Sequence, residues 1–106
     1  MNNPRRYPLS WSLIRNFTER FQWQDPTDGS LREGFNPPRN AIGKQRKPYD
    51  ICFVTKDGRV DRGRCVTLTV RPQKHQRMVK FVGSDEIRLV YDYLIVSVDD
   101  TYFRTH

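Results

Sequence analysis

The chain has 106 residues, 36% hydrophobic and 12% aromatic, with 19 Lys and Arg against 12 Asp and Glu, a formal net charge of +7. This length allows one domain with a modest core, burying roughly 60–65% of the surface exposed when unfolded, and the aromatic content argues against a disordered polar chain. No apolar run approaches the roughly 20 residues that span a bilayer, and "MNNPRRYPLSWSLIRNF" lacks the apolar stretch of a signal peptide, so a cytoplasmic protein with no membrane partner is expected.

Two parts of one domain are expected, residues 1–48 and 49–106. Six of the seven prolines lie in the first. Within it "SWSLIRNFTERFQW" places Leu13, Phe17 and Phe21 at i, i+4 and i+8, with Trp11 and Ile14 beside them. That spacing predicts one amphipathic helix, and Ser10 is a suitable N-cap. Phe21 and Trp23 also alternate with polar residues, so the end of the segment reads equally as extended. The helix needs an apolar partner, and an open end of a neighbouring sheet is the expected one. Residues 25–48, with "DPTDGS", "EGFNPPRN" and "IGKQRKP", read as an irregular, Pro-rich, basic arm.

From residue 49 the period becomes two. "YDICFVTK" alternates, Asp57-Gly58 suits a two-residue type I′ turn, and "RVDRGRCVTLTV" returns, rich in β-branched residues. Three further runs, "RMVKFV", "IRLV" and "YLIVSV", follow behind tight turns. The predicted fold class is mainly β: a five-stranded small antiparallel barrel with one N-terminal helix and a basic arm.

The stretch "ICFVTKDGRVDRG", residues 51–63, resembles the opening hairpin of SH3-like and Sm-like small barrels, in which a strand ends in Asp-Gly-Arg and a bending glycine follows. The resemblance implies an architecture and no ligand site. After Gly63 the chain runs "RCVTLTVRPQ", without the Asp and Asn that Sm-like proteins use to hold a base, and "RMVKFVGSDEI" lacks their Arg-Gly pair.

In the two-residue-turn register, Lys56 faces Arg59 and Cys52 faces Gly63. Cys65 is then a diagonal neighbour at roughly 7–8 Å, too far for a disulfide, so reduced structural thiols are expected. The same register puts Arg62 and Arg64 on the face of Ile51 and Phe53, where unpaired charges would each cost several kcal/mol. A bulge at Gly63 is the expected remedy, turning Arg62 outward while Val66, Leu68 and Val70 stay inward.

Chemistry-bearing constellations are sparse. The histidines are His75 and the terminal His106; no nucleophile–base pair, zinc set or phosphate-cradling Gly-rich loop is legible, so a non-enzyme with no cofactor and no small-molecule substrate is expected. What remains is charge. Residues 59–80 hold seven bases and one acid, and residues 85–100 hold five acids and one base.

If those segments face apart, the domain has a basic and an acidic side. Arg59, Arg62, Arg64, Arg71, Lys74, His75, Arg77 and Lys80, with Arg39, Lys44, Arg46 and Lys47 from the arm, are the candidate contacts to DNA or RNA phosphates. Tyr49, Tyr91, Tyr93, Tyr102 and Phe103 are candidate stacking platforms. The competing expectation is a protein-interaction module, or head-to-tail self-association through the opposed charges.

Overall fold

A computed structural model of the chain describes residues 6–8 and 10–104. The first five residues, on which the absence of a signal peptide partly rests, and His106 lie outside the described residues. The protein is mainly β: strands β1 (Arg6–Pro8), β2 (Phe21–Gln24), β3 (Leu31–Gly34), β4 (Ile42–Arg46), β5 (Tyr49–Val54), β6 (Val60–Arg71), β7 (Gln76–Phe81), β8 (Ile87–Tyr91), β9 (Ile95–Val98) and β10 (Thr101–Arg104), with one helix, α1 (Trp11–Thr18). Among the described residues no helix is long and apolar enough to cross a membrane.

Ser10 caps α1 as expected, its hydroxyl accepting from the Leu13 N–H at 3.4 Å. The helix is shorter than its apolar spacing suggested. It stops at Thr18, and Phe21 and Trp23 alternate along β2. Residues 25–48 are not irregular: β3 and β4 flank β2 in a small antiparallel sheet of order β3-β2-β4. Pro26, Pro37, Pro38 and Pro48 all fall outside these strands, where a missing N–H costs no ladder bond.

The larger sheet runs β1-β10-β9-β5-β6-β7-β8, antiparallel except for the β1–β10 pair. Its outer strands β1 and β8 do not pair, so the expected five-stranded closed barrel is replaced by an open seven-stranded sheet. Side chains still draw the β5–β6 hairpin towards β8: Arg88 lies 3.4 Å from Asp61, and the Lys56 ammonium sits 5.3 Å above the Tyr91 ring.

The β5–β6 turn differs from expectation by one residue. Asp57 does not take a positive φ; only Gly58 does, at 89°. Lys56–Gly58 form a three-residue loop closed by Thr55 N–H to the Arg59 carbonyl at 2.7 Å. The Thr55 hydroxyl ties the loop further, bonding the Asp57 carboxylate and accepting from the Arg59 N–H at 3.0 Å.

Every pair in the hairpin therefore shifts: Ile51 faces Gly63, and Cys52 faces Arg62. A one-residue slip exchanges the faces of a strand, so Arg62 and Arg64 point to solvent with no bulge at Gly63. The bulge falls at Leu68, between Thr67 and Thr69. Cys65 and Thr67 point inward, while Leu68 is exposed, contrary to expectation, and Val66 is half-buried. Gly63 serves close approach instead: a Cβ there would sit 2.8 Å from two carbons of the Phe81 ring.

The core comprises Ile14 of α1 with Tyr49, Ile51, Phe53, Cys65, Val79, Val90, Ile95, Val98 and Phe103 of the large sheet. Cys52 lies on the opposite face from Cys65, and both thiols are free. The small sheet adds nothing to this core. It is tied on by polar contacts, with Arg46 donating to the Glu19 carbonyl at 2.7 Å and the Arg15 guanidinium of α1 lying 4.3 Å over the Phe35 ring. The result is elongated, 46 × 35 × 28 Å, with a radius of gyration of 14.9 Å where about 13 Å is typical of a compact chain this long.

Candidate functional site

The β6–β7 connection positions the densest group of expected contacts. Arg71 ends β6, Pro72 opens a single 3-10 turn with its fixed φ, and His75 closes it in the left-handed region at φ 52°. The His75 N–H reaches the Pro72 carbonyl at 3.1 Å, and the His75 carbonyl accepts from the Asp92 N–H at 2.8 Å. The His75 ring stacks on Trp11, centroids 4.0 Å apart and planes 16° apart. Trp11 itself is 46% exposed. Beneath the stack a groove of about 250 Å³ runs down to Glu19, Arg77 and Asp92.

Arg77 is not a surface contact, and this corrects the sequence-based expectation. Its side chain is 3% exposed and binds the Asp92 carboxylate twice, at 2.7 and 3.1 Å. Its third nitrogen donates to the Thr18 hydroxyl and reaches Glu19 at 3.2 Å. Burial alone would pull the Arg77 pKa down; the Asp92 hydrogen bonds and the charges of Asp92 and Glu19 outweigh it and hold the guanidinium above its ordinary value. The cluster fastens the C-terminal end of α1 to β7 and to the 3-10 turn Asp92–Leu94.

The other expected cations divide in two. Arg59 pairs with Asp57 at 3.2 Å, Arg64 with Asp50 at 3.5 Å, Lys80 with Asp85 at 3.8 Å and Lys47 with Glu33 at 2.9 Å. Among the described residues, Arg39, Lys44, Arg46, Arg62, Arg71, Lys74 and His75 have no carboxylate within 4.0 Å. They do not form one surface. Arg71, Lys74 and His75 share the loop; Arg62 lies beside Cys52 on the outer face of the large sheet; Arg39, Lys44 and Arg46 belong to the small sheet. Arg46 stacks on Phe21 at 4.1 Å with Lys44 at 5.9 Å, and burial pulls the Arg46 pKa below its ordinary value.

The expected opposition of a basic and an acidic side does not form either, because Arg77–Asp92 and Lys80–Asp85 join the two segments. Of the expected platforms, Tyr49 and Phe103 are core, while Tyr93 and Tyr102 are 47% and 38% exposed. Sequence reasoning missed Trp11 as a platform. It precedes Ile14 by three residues and shares its helix face, but it sits on the first turn, against the loop rather than the core.

No family model, curated protein or solved structure matches the chain.

Proposed function

We propose that this protein is a small nucleic-acid-binding protein that grips phosphates without catalysing a reaction, with the β6–β7 loop as its principal contact. The observation that carries the reading is the exposed Trp11–His75 stack in the same loop assembly as Arg71 and Lys74, neither of which has a carboxylate within 4.0 Å among the described residues. Cations beside an aromatic platform are the means by which single strands are held with little sequence preference.

Arg62, and Arg39, Lys44 and Arg46 of the small sheet, extend the contact. The architecture we assign is an SH3-like small barrel left open: β5 to β8 form a meander, a 3-10 turn follows, and β9 returns onto β5. Two free thiols suit a reducing compartment such as the cytoplasm.

The test is an anisotropy titration of a labelled single-stranded oligonucleotide, in DNA and RNA forms, between about 50 and 200 mM salt. On a single strand, four to six neutralised phosphates give a slope of log K against log salt of about −3 to −4. Arg71→Ala and Lys74→Ala should each flatten that slope by about 1. Arg59→Ala, which removes a cation already held by Asp57, should change it less. Absence of binding at low salt, or a flat salt response, overturns the proposal.

A further inference from the structure

The outer face of β6, β7 and β8 is apolar where solvent should meet it. Cross-strand pairing sets Val66, Lys80 and Ile87 in one row and Met78 beside Leu89 in another, with Leu68 pushed out by the bulge. Ile87, Leu68 and Leu89 are 49%, 44% and 37% exposed. Exposed contiguous apolar surface of this kind marks an interaction site in a folded protein.

The strand at the margin of that face is also an edge with no backbone partner on its outer side, reached there only by the side chains of Asp61 and Lys56 from the β5–β6 hairpin. Edge strands are ordinarily blunted by brevity, proline, charge or a bulge. The other three edges follow that rule: β1 has three residues and Pro8, β3 is Leu-Arg-Glu-Gly, and β4 is bulged with Gly43 at φ 64°. Strand β8, Ile-Arg-Leu-Val-Tyr, has no proline, glycine or bulge and pairs regularly over five residues with β7 alone. Its single charge, Arg88, is occupied by Glu86 at 2.7 Å and Asp61 at 3.4 Å.

We propose that β8 is a homodimer edge: two copies pair β8 antiparallel about a two-fold axis and join their large sheets into one. The charges at the ends of the strand choose this occupant and this direction. Asp85, fully exposed and 3.8 Å from Lys80, precedes β8, and Lys56, with no carboxylate within 4.0 Å among the described residues, sits over Tyr91 at its far end. Antiparallel pairing brings Asp85 of each copy towards Lys56 of the other; parallel pairing would bring like charges together. A two-fold axis makes the contact self-complementary and closed. Ile87, Leu89 and Tyr91 of the two copies then extend one apolar stripe across the joint. This surface is separate from the β6–β7 loop, so the inference stands whether or not the protein binds nucleic acid.

Sedimentation velocity from about 10 µM to about 1 mM should show the 12.7 kDa chain passing to twice that mass. The β8 amides should gain hydrogen-exchange protection over the same range. Leu89→Lys, on the exposed face, should weaken dimerisation by about tenfold or more with the circular dichroism spectrum unchanged. Lys56→Asp and Asp85→Lys should each weaken it, and the double exchange should restore it. A single 12.7 kDa species throughout, or a dimer indifferent to Leu89→Lys, overturns the proposal. So does a charge exchange that fails to restore association, which remains informative if Leu89→Lys does not fold.

Discussion

Replacing Arg77 by methionine should be among the most damaging single changes available to this fold. The guanidinium is 3% exposed and meets Asp92, itself 6% exposed, through bonds of 2.7 and 3.1 Å. Removing it strands a buried carboxylate, which costs about 3–5 kcal/mol. Thr18 softens this little, because its hydroxyl already donates to the Ile14 carbonyl at 2.7 Å. Glu19 loses less, since it keeps 18% of its surface in water. Against a total stability of about 5–15 kcal/mol, the loss should lower the melting temperature by about 15–30 °C.

The assay is urea unfolding followed by far-ultraviolet circular dichroism. The decisive comparison is with Arg77→Met combined with Asp92→Leu. A buried ion pair is worth little more than apolar residues of similar volume, so the double variant should recover most of the loss. A single variant within about 1 kcal/mol of the parent would refute this account. So would a double variant as damaged as the single.

Gly63→Ala should cost about 1–3 kcal/mol by urea midpoint, because the new methyl lies 2.8 Å from the half-buried Phe81 ring; a neutral or stabilising outcome would show that the ring can retreat. Burial holds the protons of Tyr49 and Cys65, raising the Cys65 pKa to about 11 and the Tyr49 pKa above its ordinary value. The folded state therefore binds more protons than the unfolded one, and stability should fall as pH rises from the ordinary thiol value of 9.0 through about 11. Tyr49→Phe should lessen that fall while leaving the Thr67 hydroxyl, 2.7 Å away in the parent, without its partner, for a loss of about 1–3 kcal/mol at neutral pH. Labelling with a thiol reagent at about pH 8 should modify half-buried Cys52 quickly and the 0%-exposed Cys65 only at the rate of unfolding; two equally fast thiols would contradict the facing of β5 and β6.

The periodicity of residues 49–106 announced strands, and Ser10 announced the start of a helix, because both signals are local. What stayed hidden was set by a single backbone angle. Asp57-Gly58 was compatible with two- and three-residue loops, and the difference moves Arg62 and Arg64 from the core face to solvent. The awkwardness of two buried arginines was a correct warning, but the remedy lay in the turn and not at Gly63. The small sheet was hidden for another reason: its strands are four or five residues long and its prolines all lie outside them, so composition over the whole stretch masked its alternation. Arg77 looked like its neighbours in "TVRPQKHQRMVKF". Only the pairing of β7 with β8 and the arrival of α1 bring Thr18, Glu19 and Asp92 around it.

The same register explains which cations remain for a polyanion. Chain segments of opposite charge looked like two faces of the protein, yet an antiparallel ladder places consecutive segments side by side. Where the cross-strand partner is an acid, the base is taken, as with Arg64 opposite Asp50. Where the partner is neutral and no acid reaches the base from a neighbouring turn, it is left over: Arg62 faces Cys52 and Arg71 faces Gln76, whereas Lys80, opposite Val66, is met by Asp85. Lys74, in the turn beyond the ladder, has no cross-strand partner at all. The free charge is thus the residue of strand pairing, and a one-residue slip would have left Arg64 opposite Ile51 and its acid unmatched. Substituting Gln76 by Glu turns that logic into a measurement. It should place a carboxylate opposite Arg71 and weaken oligonucleotide binding about as much as Arg71→Ala, although Gln76 itself carries no charge to lose; unchanged binding would mean that Arg71 contributes nothing to the contact.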